Sequence, residues 1–226
     1  MGLPKRDHIA ALMADPAIAE RWRRAHGGRD PGETDIDAVY SVFAPLNASI
    51  VADYADLIPG AAEAVSQLRR RGARIGSTTG YTRDIMERLL PVAAEQGYTP
   101  DNLVCAGDLA AGRPTPLMMY RTFADLGVHP PASVVKVDDT EPGIAEGVAA
   151  GTWTVGVTVS GNLVGLSLLE WEALPAGEQA RLRERAAVKL YQAGADFVLD
   201  TVADLPRLAG EIDDRLAAGG PARRPR

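Results

Sequence analysis

The chain has a single cysteine, Cys105, among 226 residues. One thiol excludes a disulfide framework and a thiolate zinc site, and it fits a reducing compartment, the cytoplasm. Long apolar runs are also missing, and nothing approaches the ~20 residues that cross a bilayer. The N-terminus sets Lys5, Arg6 and Asp7 among short apolar stretches with no continuous apolar region, so an unexported protein is expected. Arg6 stands where a myristoylation motif after Met1-Gly2 wants Ser or Thr. A cytoplasmic protein with no membrane partner is expected. Aromatics are scarce at 5%, and Lys and Arg (24) are outnumbered by Asp and Glu (30), for a net charge of -6. Such a surface repels polyanions, and no basic stripe interleaves with aromatics, so nucleic acid is not a partner. There is no internal repeat and no bias toward disorder or collagen. What remains is an ordinary globular composition, 46% hydrophobic and 24% charged, long enough for one core and a small accessory domain.

Residues 1–57 read as a helical cap. Asp15-Pro16 breaks an early helix pair, and Gly27-Gly28 opens a loop. Apolar residues from Ile36 to Tyr54 then recur at helical spacing, with Pro45 expected to kink or split the helix. Asp35-Ile-Asp37 forms the acidic first turn of that helix. After Pro59-Gly60 the texture alternates. An amphipathic helix covers 61–71, and strands are expected at 73–78, 102–106, 133–138, 152–158 and 196–199. Helices are expected near 82–96, 115–126, 141–150 and 203–216, with surface helices around 166–174 and 178–193. This is the pattern of an α/β fold, a Rossmann-like core over 58–212 with a parallel sheet covered on both faces and ligands bound at the carboxyl ends of its strands. Residues 213–226 read as a flexible tail.

Three segments at such strand ends carry chemistry. Ile75-Gly-Ser-Thr-Thr-Gly-Tyr-Thr82 presents hydroxyls and backbone N–H groups where an anion can sit, or it is only a strand-to-helix turn capped by Thr82. Gly112-Arg113-Pro114 presents a guanidinium from a stiff loop, able to grip an oxyanion through two parallel bonds, or it is only a solvated surface arginine. Val137-Asp138-Asp139-Thr140 ends an apolar strand in two adjacent carboxylates, which repel unless a cation or donors compensate. Mg2+ suits one or two carboxylates plus water and substrate oxygens. Alternatively, one acid serves the N-terminus of the next helix. Lys5 and His8, three apart, share a face if their segment is helical, with Pro4 at its first position. His26 and His129 have no partners at ligand spacing.

The order and residue types of these segments resemble the haloacid dehalogenase superfamily. Met1-Gly-Leu-Pro-Lys-Arg-Asp-His8 resembles, within it, the phosphonoacetaldehyde hydrolase family, or phosphonatases. The resemblance implies hydrolysis of the carbon–phosphorus bond of phosphonoacetaldehyde to acetaldehyde and phosphate, through a lysine Schiff base and Mg2+. It assigns the Schiff base to Lys5, with Met1 and His8 beside it. Thr79 becomes the hydroxyl on the phosphoryl group, Gly80 and Tyr81 line the substrate site, Arg113 binds phosphate, and Asp139 holds the metal, with Asp138 as a second candidate ligand. It also implies a homodimer through the cap helices. Gly143 stands where many superfamily members place a further acid.

One departure is large. The superfamily nucleophile is an aspartate ending the first, central strand, written in this family roughly as Asp-Trp-Ala-Gly-Thr, and no such segment occurs here. That strand is expected to be missing, leaving its neighbours unpaired and the core opened. The chain as it stands is then expected to be inactive, and Met1 to be an internal methionine or the edge of a truncation. The rival readings are a phosphate-ester phosphatase of the same superfamily and an inactive fragment acting as a binding or dimerisation module.

Overall fold

The computed structural model describes residues 2–218. Three helices open the chain: α1 (Lys5–Met13), α2 (Pro16–Ala25) and α3 (Glu33–Ile50), the last followed by a 3-10 turn, Val51–Tyr54. Pro4 is the residue before α1 and not its first helical residue. Asp15 caps α2 by accepting from the N–H groups of Ala17 and Ile18. Asp35 caps α3 from inside its first turn, accepting from the Gly32 N–H at 2.8 Å, while Arg29 pairs with it. The helix runs unbroken through Pro45. Proline removes one backbone bond and costs roughly 3 kcal/mol in a helix interior, and the packing of α1 along α3 helps to offset that cost, so the helix is not split.

The remainder alternates: α4 (Ala61–Arg70), β1 (Gly76–Thr78), α5 (Arg83–Glu95), β2 (Asn102–Val104), α6 (Leu117–Leu126), β3 (Val135–Asp138), α7 (Glu141–Ala150), β4 (Trp153–Val157), α8 (Leu168–Glu172), α9 (Ala176–Ala193), β5 (Phe197–Leu199) and α10 (Leu205–Ala217). Every expected strand and helix of the alternating region is present, with ends shifted by a few residues. Helix α10 continues to Ala217, past the 213 boundary read as the start of a tail; residues 219–226 lie outside the described ones.

All strand pairs are parallel, but they form two sheets, β1-β2 and β3-β4-β5. Central β4 is buried along its whole length. Its alternate residues serve opposite faces, as strand pleating requires. Trp153 and Val155 pack with Leu205, Leu208 and Ile212 of α10. On the other face a Cβ at Gly156 would lie 2.8 Å from Leu190 of α9, so only glycine lets that helix sit down on the strand. Burial on both faces accounts for the apolar texture of the strand.

Between the two sheets lies a slot of about 690 Å³. Its walls include β1 from Gly76 to Thr78, β3 from Val135 to Asp138, Val65 and Leu68 of α4, and Ile212 of α10. Among the described residues β1 pairs only with β2, and β3 only with β4. The structure thus has two strand edges facing a hollow, as expected where the central strand of the sheet is missing.

Candidate active site

A buried square of charge bridges that slot. Thr78 ends β1, Lys136 and Asp138 lie on β3, Glu146 lies on α7, and Arg113 comes from the loop before α6. The Lys136 ammonium donates to Glu146 Oε2 at 2.7 Å and to Thr78 Oγ1 at 2.8 Å, and lies 3.3 Å from Asp138 Oδ2. Arg113 donates through Nε to Glu146 Oε2 at 3.1 Å and through Nη2 to the Thr78 carbonyl at 2.7 Å, with Asp138 Oδ2 3.1 Å from the same Nη2. The Thr78 hydroxyl donates to Glu146 Oε2 at 3.0 Å. The four charged side chains are 0–8% exposed. Two cations balance two carboxylates, as burial of charge requires.

The adjacent aspartates diverge. Asp138 Oδ1 accepts from the Thr140 N–H at 3.0 Å and hydroxyl at 2.7 Å. Thr140 in turn caps α7 by accepting from Gly143 N–H, so neither acid caps the helix directly. Burial pushes the Asp138 carboxyl up, but Lys136, Arg113 and the Thr140 bonds outweigh it and hold the group below its usual range. Asp139 goes the other way. Burial raises it, and its Oδ2 accepts from one backbone donor, Asn162 N–H, at 2.8 Å. An under-compensated carboxylate beside a compensated one is a donor set that a hard, oxygen-seeking cation fits. Among the described residues no group of three metal-ligating side chains gathers there.

Lys5 begins α1, with its ammonium 4.6 Å from the centre of the Tyr81 ring. Burial lowers its pKa. Burial lowers that of His8, and the charge of Lys5 contributes in the same direction. Lys5 and Gly80 line a separate hollow of about 450 Å³ between α3 and the core, together with Pro4, Tyr40, Phe43 and Asp84. The chain before α1 is pressed onto the core loops. A Cβ at Gly80 would lie 2.9 Å from the Leu3 carbonyl oxygen, and one at Gly2 would lie 2.3 Å from Thr140 Oγ1. Met1 lies outside the described residues. With its charged form penalised, Lys5 should react with a neutral acylating reagent at a pH below that needed by free lysine. Mass-spectrometric labelling across pH checks this, and a midpoint equal to that of free lysine would contradict it.

The structure therefore brings Lys5 to Tyr81 and Gly80, and Arg113 to Asp138. It keeps these two groups in adjoining hollows, with no bond between them among the described residues. Thr79 does not join the charge square. Its hydroxyl accepts from Tyr81 N–H at 3.1 Å, and Thr78 is the threonine that faces the cations. Lys136 and Glu146 went unread in the sequence. Their signal was a lone lysine in Val134-Val-Lys-Val137 and a lone carboxylate in Ile144-Ala-Glu-Gly-Val148, each too apolar a setting for an unpaired charge.

A family model described as haloacid dehalogenase-like hydrolase matches residues 5–151. Parallel strands between helices, with charged loops at the strand ends, agree with it, and the chain is a hydrolase of that class. Phosphonoacetaldehyde hydrolase of Paraburkholderia xenovorans (strain LB400) is 52% identical over 219 residues, covering 97% of this chain and 82% of that protein. The Klebsiella pneumoniae protein of the same name is 49% identical over 220 residues, 97% of this chain and 81% of its own length. A crystal structure of a phosphonoacetaldehyde hydrolase like protein from Oleispira antarctica superposes with a TM-score of 0.91 at 42% identity, covering 97% of this chain and 79% of that one. The chain belongs to the phosphonoacetaldehyde hydrolase family.

Proposed function

We propose that this chain carries the imine-forming and phosphoryl-binding parts of a phosphonoacetaldehyde hydrolase, releasing acetaldehyde and phosphate. The observation that carries the reading is Lys5, whose half-buried amine lies against Tyr81 and beside Gly80, at the carboxyl end of β1. Burial favours the neutral amine, the form that adds to an aldehyde carbonyl. Loss of water then gives an iminium, which accepts the electron pair of the carbon–phosphorus bond as that bond breaks and yields an enamine. Protonation and hydrolysis of the enamine return acetaldehyde and free Lys5. His8, one turn along α1 from Lys5 and favoured in its neutral form by burial, would move protons at the carbinolamine. Arg113 and the hydroxyl of Thr79 receive the phosphonate oxygens.

Asp139 would hold Mg2+, with Asp138 as the neighbouring acid, and the ion would neutralise charge on the phosphoryl oxygens. The phosphoryl group also needs an acceptor. Asp138 is tied to two cations and to Thr140, which leaves the acceptor to an aspartate on an extended segment seated in the slot, pairing with β1 and β3 to make one sheet. Such a strand would satisfy both open edges.

The test is an assay of acetaldehyde and phosphate release from phosphonoacetaldehyde beside a phosphate ester of similar size. Activity on the phosphonate that requires Lys5 supports the reading. Equal activity on the ester, indifferent to Lys5, would replace it with a phosphatase.

The homodimer belongs to the same proposal. Val39, Val42, Leu46 and Ile50 form an outward stripe on α3, 37%, 69%, 57% and 40% exposed, and a stripe of this kind is buried when two copies meet. Leu46→Glu should shift a dimer to monomer in sedimentation velocity, and an unchanged dimer would place the interface elsewhere.

A further inference from the structure

Arg113 stands in a loop, so its aim depends on what its side chain is tied to. We propose that Glu146 is the positioning residue that aims Arg113, an assignment that rests on reading Arg113 as the phosphate-binding group. Glu146 is fully buried on α7. Its Oε2 alone accepts from Arg113 Nε, Lys136 Nζ and Thr78 Oγ1. Its Oε1 has no partner among the described residues. This carboxylate gathers three donors from three chain segments onto one atom, so it fixes where each of them points.

The consequence falls on the guanidinium. Arg113 is held along its Nε side by Glu146 and through Nη2 by Thr78 and Asp138, while Nη1 makes no hydrogen bond among the described residues. That leaves one donor group for a ligand on a side chain otherwise locked. Remove the Glu146 charge, and both Arg113 and Lys136 have only Asp138 to neutralise them. The guanidinium is then drawn onto Asp138 and away from the aim that Glu146 imposed. Glu146 acts through Arg113 and touches no reacting atom.

The test is a double-mutant cycle read by calorimetric titration of the full chain with inorganic phosphate in the presence of Mg2+, with unfolding temperatures measured alongside. Arg113→Ala should weaken binding. Glu146→Gln should weaken it at least tenfold, and the double variant should bind no worse than Arg113→Ala, because Glu146 has nothing left to aim. If Arg113→Ala weakens binding while Glu146→Gln leaves it at the wild-type value, or if the losses add, Glu146 is structural only and the inference is overturned. If Arg113→Ala binds phosphate as tightly as wild type, the reading of Arg113 fails, and the inference with it. Should Glu146→Gln lower the folded fraction, Lys136→Met with Glu146→Leu removes one charge of each sign. That balanced pair enters the same cycle with the same expected non-additivity.

Discussion

With the acceptor aspartate supplied, Lys5→Arg is expected to abolish carbon–phosphorus cleavage, by on the order of 10⁴ or more, the scale on which removal of a covalent catalytic group is felt, while the fold is retained. Arginine keeps the positive charge and can keep the contact with the Tyr81 ring, since guanidinium groups stack on aromatic faces. It cannot shed a proton in a protein, so it cannot condense with an aldehyde. The two side chains are similar in length, and this one starts a helix whose packing rests on its other residues. An unchanged far-UV circular dichroism spectrum with no acetaldehyde release is therefore the expected pair of results. Retained release would remove Lys5 from the chemistry.

Gly143→Ala is expected to destabilise the protein by about 3–5 kcal/mol, the cost of breaking a buried ion network, although helix propensity alone predicts a gain of roughly 1 kcal/mol. Gly143 lies in the first turn of α7, and a Cβ there would sit 2.0 Å from Asp138 Cγ. Asp138 has nowhere easy to go. Its Oδ1 is tied twice to Thr140, and its Oδ2 faces Arg113 and Lys136. Pushing it aside leaves two buried cations sharing Glu146. Against a typical total stability of about 5–15 kcal/mol, the loss should be plain in urea unfolding. Gly177→Ala is the control: it is helical, and its added Cβ meets nothing within 4 Å, so it should be neutral or slightly stabilising. Equal behaviour of the two variants would refute the steric account of Gly143.

The alternating region was legible because its signals are local. Gly194 closes α9 with φ of 105°, Thr140 and Pro142 open α7, and short apolar stretches such as Phe197–Leu199 mark strands. The slot agrees with the expected lack of a central strand: among the described residues no strand lies between β1 and β3, and both edges are open. Pro45 does not split α3, because breaking is a local tendency that the packing of α1 against α3 opposes. The charge square was harder to read. Lys136 meets Thr78 across 58 positions and Glu146 meets Thr78 across 68, separations at which no spacing rule operates. The choice between Thr78 and Thr79 depends on strand pleating, since adjacent residues point to opposite faces, and which face meets the cations is set only once β1 and β3 are placed across the slot. Arg113 reads from the sequence as a free grip on an anion. The structure adds that most of its bonding is already taken.

The central claim, that Lys5 forms an imine with an aldehyde, is tested most directly by incubating the chain with phosphonoacetaldehyde, reducing with borohydride and mapping the adduct by peptide mass spectrometry. The account predicts a secondary amine at Lys5, phosphonoethyl if only the imine has formed and ethyl if the carbon–phosphorus bond has also broken. No adduct, or one spread over surface lysines with Lys5 unmodified, would contradict it.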